Sequence, residues 1–449
     1  MKKLNLVFAI LIAFVTFTSC NNSEDIIPDI IISTISPETA TIGDIIIING
    51  QNFDVNNTYQ VFFNGLEGTV TEVATTYLKV TVPDRAASGE ITVSYNSKTI
   101  NAGTITIVNV FTGNITLLTQ QEVDDFGANN YTKVVGNIII GSDTNLTPES
   151  IQNLDALATL TEVTEELGIY ENTKLSSLSG LSNLISVGGN LVISYNKILS
   201  DLNGLNKLTT VGKNFQISDN PALLNVDVLS NLTLISGELS FSSNENLTSL
   251  SGLSNLTSLG GFSLSYSDNV TNLNFLSNIT SLTGNLSLQS HITSLEGLNN
   301  IKTIGGELDL QHNLITTLNE LNSLTSIGGV LNLYANENLL NLDGLDNLTS
   351  VEELFIQEAN ITNIDALSNL TSVVGRINIY ACNSLINLDG LNGLTSVGSD
   401  IKVKDNSFLT SFCGLSNLII NHNYSNTFTA TGNVYNPSKQ DITDGNCSN

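Results

Sequence analysis

The 449-residue chain has no tryptophan, one methionine, three histidines, four cysteines and six prolines. Lysine and arginine total 15 against 42 aspartates and glutamates, a formal net charge of -27. That shortage of positive charge argues against nucleic acid and anionic membrane surfaces as partners, because both would be repelled. The histidines, His291, His312 and His422, are scattered. No Gly-x-Ser-x-Gly or His-Glu-x-x-His occurs, and no cysteines stand at metal-ligand spacing. Asp309 and His312 lie close in sequence but lack a nucleophile beside them, so neither an enzyme, a cofactor nor a bound metal is expected. Charged residues make up 13% of the chain, and Asn, Ser, Thr and Gly fill its turns. This usage suits neutral polar recognition outside the cell better than catalysis.

Only one apolar run is long enough to direct the chain to a membrane. Leu4 to Phe17 follows Met1-Lys2-Lys3 and ends at Thr18-Ser19-Cys20. It is short for a bilayer span and reads as a secretory signal. Phe17-Thr18-Ser19-Cys20 resembles a bacterial lipobox, with Phe where Leu is usual. The resemblance implies that residues 1–19 are a signal peptide, that Cys20 is the lipidation site, and that 20–31 form a lipidated tether. A plain secretory signal is the alternative. Acylation by two or more chains would anchor the protein stably, placing it at the outer membrane. Ser23-Glu24-Asp25 resembles the acidic export signal that takes lipoproteins of Bacteroidetes-type bacteria to the cell exterior, and reads equally as a solvated tether.

Residues 32–108 carry short apolar segments between turn residues: Ile32 to Pro37, Gly43 to Phe53, Val61 to Gly65, Leu78 to Pro83 and Gly89 to Tyr95. That spacing predicts an antiparallel sandwich. The Ser-Pro start, the Gly before a strand, Gly-x-x-Phe and the strand ending in Val-Pro are together similar to the IPT/TIG immunoglobulin-like family. The resemblance implies an Ig-like fold serving as a spacer or as a ligand-binding module.

From 109 to 412 the chain repeats. Strand centres recur at Ile169, Ile193, Ile217, Phe241, Leu264, Leu288, Leu310, Leu333, Ile356, Ile379 and Val403, 22 to 24 residues apart. A fixed period of that length predicts a solenoid in which each coil buries its apolar face against its neighbours. The fold class expected is mainly β: an N-terminal Ig-like sandwich, then a right-handed parallel β-solenoid of about eleven to twelve coils. Gly113 to Phe126, ending in a helix-like segment, reads as an atypical first coil, and Thr147-Pro148 as the start of a short helix. Three residues past the strand centre stand Asn172, Asn196, Asn220, Asn244, Asn313, Asn336 and Asn406, with Cys382 taking the place once. Turned inward, these would form an amide ladder satisfying buried backbone groups, with Cys382 a structural thiol. The Asn-Leu-Thr triplets at Asn231, Asn255, Asn347 and Asn369 follow from the repeat itself rather than from glycosylation.

The Gly-x-Leu-x-Ile, Leu-x-x-Leu-x-Gly-Leu and Leu-Thr-Ser-Val-Gly pieces resemble the receptor L-domain group of leucine-rich-repeat-like solenoids, which implies ligand binding without naming the ligand. Residues 413–449 read as a C-terminal cap, with Cys413 paired to Cys447 and Cys382 left reduced. Outward strand positions carry small hydroxyls in the earlier coils. Later they carry Asp309, Gln311, Asn332, Tyr334, Phe355, Gln357, Asn378 and Tyr380, the candidate ligand-binding residues, although rings are also simply good strand formers. The functional expectation is a non-catalytic, cell-surface lipoprotein whose solenoid binds an extracellular protein in adhesion. The alternative is a glycan-binding lipoprotein of a polysaccharide uptake system.

Overall fold

A computed structural model describes residues 29–142, 151–422 and 424–449. Cys20, the leader and the helix expected at Thr147 lie outside the described residues. The chain divides into two compact units, one running to Pro83 and including Ser88–Thr106, the other holding Asp84–Ala87 and Ile107–Asn449.

The first unit is built from β1 (Ile31–Ser36), β2 (Thr39–Thr41), β3 (Ile45–Gln51), β4 (Gln60–Phe63), β5 (Leu66–Ala74), β6 (Tyr77–Thr81), β7 (Gly89–Tyr95) and β8 (Lys98–Val108). Their order is β1-β3-β6-β5-β4-β7-β8-β2, with antiparallel neighbours from β1 through to β8. Strand alternation sends Ile46 and Ile48, Val61 and Phe63, Leu78 and Val80, and Ile91 and Val93 into the core. β5 pairs with β4 over Leu66–Gly68 and with β6 from Thr69 onward, so it passes from one partner to the other. The segments read as strands from sequence are all present. β2, β5 and β8, which the apolar pattern did not single out, complete the sandwich.

The second unit is the solenoid. Its main parallel ladder keeps one register throughout: Leu191 pairs with Phe215, Phe215 with Leu239, then Phe262, Leu286, Leu308, Leu331, Leu354, Ile377, Ile401 and Phe428 in turn. A second ladder is formed by the Thr-Val or Ser-Val pieces of each coil, for example Ser326–Ile327, Ser350–Val351 and Ser372–Val373. Two strands, Leu234–Ser242 and Ser258–Ser265, run through both ladders. Leucines at four-turn positions, such as Leu175, Leu178, Leu181 and Leu184, are fully buried and join neighbouring coils in one continuous core. Coils touch so closely that a Cβ added at Gly390 would collide with the Ile364 carbonyl.

The ladder extends beyond the repeat at both ends. Ile115–Leu117 and Ile138–Gly141 precede the first regular coil, and Phe428–Thr431 follows the last. The segment read as a cap thus contributes a strand, Phe428–Thr431, to the main ladder. In the opening coil a true helix, α1 (Gln120–Gly127), stands against the short 3-10 turn Asp155–Leu157 that its successor uses. Thr119 caps it, accepting from the Glu122 amide while Glu122 reaches back to the Thr119 amide. No helix among the described residues is long and apolar enough to cross a membrane.

Candidate functional site

The residue that leaves each strand has a left-handed backbone. Glu171, Tyr195, Asp219, Ser243, Tyr266, His291, His312, Ala335, Glu358, Ala381 and Asp405 all have φ between 48° and 60°, and Gly141 and Gly432 take the same place at the two ends. A non-glycine residue pays about 1–2 kcal/mol for this conformation. The twist turns the following side chain into the coil, and that side chain stands in the ladder column in every coil but that of His291, where Ser290 takes the role.

Asn172, Asn196, Asn220, Asn244, Asn313, Asn336 and Asn406 are all buried. The bonding is regular: Asn196 Oδ1 accepts from the Asn172 amide (3.1 Å), Asn220 Oδ1 from Asn196 (3.0 Å) and Asn244 Oδ1 from Asn220 (3.2 Å). The Nδ2 of each except Asn336 donates to a strand carbonyl of the preceding coil, as Asn220 does to Ile193 (2.9 Å), while Asn336 reaches the Tyr334 carbonyl of its own coil. The column also includes residues that a search for Asn at a fixed offset misses. Ser267 and Ser290 continue it with hydroxyls, and Asn433 closes it by accepting from the Asn406 amide at 3.0 Å. Ala359 interrupts it with no polar atom. Cys382 fills its place with a thiol 3.5 Å from the Ile356 carbonyl. Burial pushes that thiol up to about 11, which keeps it protonated and inert.

A second amide ladder marks the other end of the strands. Asn137 Oδ1 accepts from Glu166 N, Asn190 from Asn214 N, Asn214 from Glu238 N, and Asn285 from Glu307 N. The Asn-Leu-Thr triplets form a third. Asn231, Asn255, Asn347 and Asn369 each donate to a carbonyl of the preceding coil at 2.7 Å, so these amides are committed to the scaffold.

On the strand face, the eight candidate residues divide into two groups. Asp309 is only 6% exposed, and its carboxylate accepts from Gln289 Nε2 (2.7 Å) and Gln311 Nε2 (2.8 Å). Asp309 and Gln311 thus bind each other and the neighbouring coil. Burial, and then the Asp309 charge, raise the pKa of nearby Glu307 above the ordinary carboxylate value. Asn332 accepts from the Tyr334 amide at 3.2 Å. Tyr334, Phe355, Gln357 and Asn378 are half-buried, and Tyr380 is 37% exposed. The Arg376 guanidinium lies over the Phe355 ring at 5.0 Å while its Nε reaches Glu353 at 3.2 Å. The charge of Glu358 raises the Tyr334 hydroxyl pKa. In register, Phe355 stands beside Asn378, Gln357 beside Tyr380, and Tyr380 beside Lys404.

The earlier coils differ. Ser194 and Ser218 share a buried hydroxyl bond at 2.7 Å, and Ser265 donates to Ser242 at 3.0 Å, leaving few polar atoms for a ligand. His312 does not use Asp309; it packs edge-on against Tyr334, centroids 5.0 Å apart. No group of three or more His, Cys, Asp or Glu placed to hold a metal occurs among the described residues. Cys413 and Cys447 form a disulfide, and Cys382 is free.

A protein of Bacteroides thetaiotaomicron provisionally named a phosphatase aligns at 26% identity over 18% of this chain, with a TM-score of 0.17. The alignment also spans just 18% of that structure's own length. No curated protein matches the chain. Residues 31–111 match the IPT/TIG domain family, and the first unit is an IPT/TIG domain.

Proposed function

We propose that this is a non-catalytic lipoprotein, anchored through Cys20 at the outer membrane and facing the cell exterior, whose receptor L-domain-like solenoid binds an extracellular protein. The observation that carries the reading is the patch of Phe355, Arg376, Asn378, Gln357 and Tyr380 on adjacent strands. Tyrosine, phenylalanine and arginine, with amides to fix orientation, are the side chains enriched where protein interfaces derive their binding energy. The patch lies among the later coils, where the outward hydroxyl pairs of the earlier ones give way to larger side chains. In this reading the IPT/TIG domain acts as the spacer between anchor and solenoid.

A photo-crosslinking residue at Gln357 tests the patch. In envelope fractions it should label one protein saturably, and unlabelled wild type should compete while Phe355→Ala with Tyr380→Ala should compete at least tenfold less well. Competition equal to wild type would remove this face from the proposal. The anchor has its own test. Cys20→Ala should abolish incorporation of labelled palmitate and release the protein from the membrane fraction, and unchanged labelling would contradict it.

A further inference from the structure

The left-handed column contains an anomaly. That backbone conformation favours glycine, and of the other residues tolerates Asn, Asp and His best. Three coils in succession place rings there, Tyr266, His291 and His312, at φ 48°, 48° and 57°, and of these tyrosine is the one the conformation disfavours. None of the three rings contributes to the core. Tyr266 is 70% exposed, and the other two are exposed as well. A strained position occupied by a bulky, solvent-facing ring points to function rather than to packing.

Two of the rings are also held in place. His291 Nδ1 is 3.2 Å from the Asp268 carboxylate of the coil before it, and His312 rests edge-on against Tyr334. The Ile292 amide donates to Asn313 Oδ1, which sets His291 level with His312 on the next coil. With coils ~4.8 Å apart, the run from Tyr266 to Tyr334 covers ~14 Å along the solenoid axis.

We infer that this ring column is a binding track for a neutral polysaccharide, separate from the protein-binding patch and independent of that reading. Each sugar of an extended chain advances by about one coil spacing, so successive pyranose rings can sit over successive side-chain rings. The C–H groups on a pyranose face carry slight positive charge and meet the negative faces of the aromatic rings. The acidic excess of the chain selects against uronic or sulfated polymers. The Asp268 carboxylate, 3.2 Å from His291 Nδ1, lies beside the track, where a hydroxyl of a neutral sugar finds an acceptor.

Affinity electrophoresis of the full chain through gels containing laminarin, xyloglucan, galactomannan or amylopectin, with alginate as the anionic comparison, tests the inference. At least one neutral polymer should retard the protein. Tyr266→Gly with His312→Gly should weaken that retardation at least tenfold. Because glycine relieves the left-handed strain, the melting temperature of this variant should equal or exceed wild type, which separates loss of binding from loss of fold. Ala335→Gly, in the same column past the rings, should bind as wild type. No retardation by any neutral polymer, retardation by alginate alone, or an unaffected double variant would overturn the track. Loss confined to Phe355→Ala with Tyr380→Ala would also overturn it and would make the strand patch a sugar site instead.

Discussion

Asn220→Leu is expected to cost about 3 kcal/mol of stability, because each buried backbone group left unpaired costs ~1–3 kcal/mol. Three backbone groups bond to this one side chain. Its Oδ1 accepts from the Asn196 amide at 3.0 Å, and its Nδ2 donates to the Ile193 carbonyl at 2.9 Å and to Ser218 at 2.9 Å. Leucine has the same branched shape but would satisfy none of them, and its bulkier methyl groups would crowd the same backbone atoms. In a solenoid each coil is coupled only to its neighbours, so the damage should be local at first. Hydrogen exchange should accelerate at Asn196 and Ile193 before it does so in the coils around Ile377, and the urea midpoint should fall. Asn220→Cys should lose less, since Cys382 shows that a thiol can occupy the column beside two carbonyls. A Leu variant with the wild-type midpoint would mean that water or a backbone shift satisfies those groups.

How much of this could be read in advance depended on whether periodicity carried the signal. The coil register, the inward leucines and the Asn column repeat at a fixed interval, and each follows from alternation along a strand. Where a coil is shortened the rule slips. Ser290 takes the ladder role two residues after Leu288, because His291 occupies the left-handed place one position later than the spacing predicts. Asn433 was hidden because Cys413 breaks the repeat that would have pointed to it. The left-handed column left no compositional mark: Glu, Tyr, Asp, Ser, His and Ala all occur there, so no turn residue announces it. β5 and β8 were missed for a related reason. Both are mostly solvent-facing and carry Gly and polar residues: β5 buries only Gly68, and β8 only Ile105 and Ile107 near its end, too short an alternation to single out.

The candidate surface was legible in part. Counting outward positions along strands located Tyr334, Phe355, Gln357, Asn378 and Tyr380 on one face. It could not show that Asp309 and Gln311 bond to each other, because an outward backbone position does not determine where a long polar side chain ends. Nor could it find Arg376, which immediately precedes the strand Ile377–Tyr380 and reaches back over Phe355.

Removing the disulfide by Cys413→Ser with Cys447→Ser should destabilise the C-terminal coils by about 3–4 kcal/mol, the loop-closure value for a crosslink of this span. The bond joins residues 34 apart, and the loop it closes contains the final strand of the ladder, Phe428–Thr431. That strand is held by side contacts of limited strength. Phe412 meets the rings of Phe428 and Tyr435 at 6.2 and 6.4 Å, and Lys439 Nζ donates to the Asn426 carbonyl at 3.0 Å. The chain end is tied back beside the bond, where Phe412 N donates to the Cys447 carbonyl at 2.8 Å and Asn449 N to Thr410 at 3.1 Å. Without the crosslink, these few contacts must offset the entropy of ordering the whole tail. The tail should therefore open first, exposing the edge of Ile401–Lys404 and leaving Asn406 without the Asn433 acceptor that completes its ladder bond. Exchange mass spectrometry should show residues 401–449 losing protection while 167–260 keep theirs, and the urea curve should acquire an early phase. A single transition at the wild-type midpoint would show that packing and the ladder hold the last coil closed without the covalent bond.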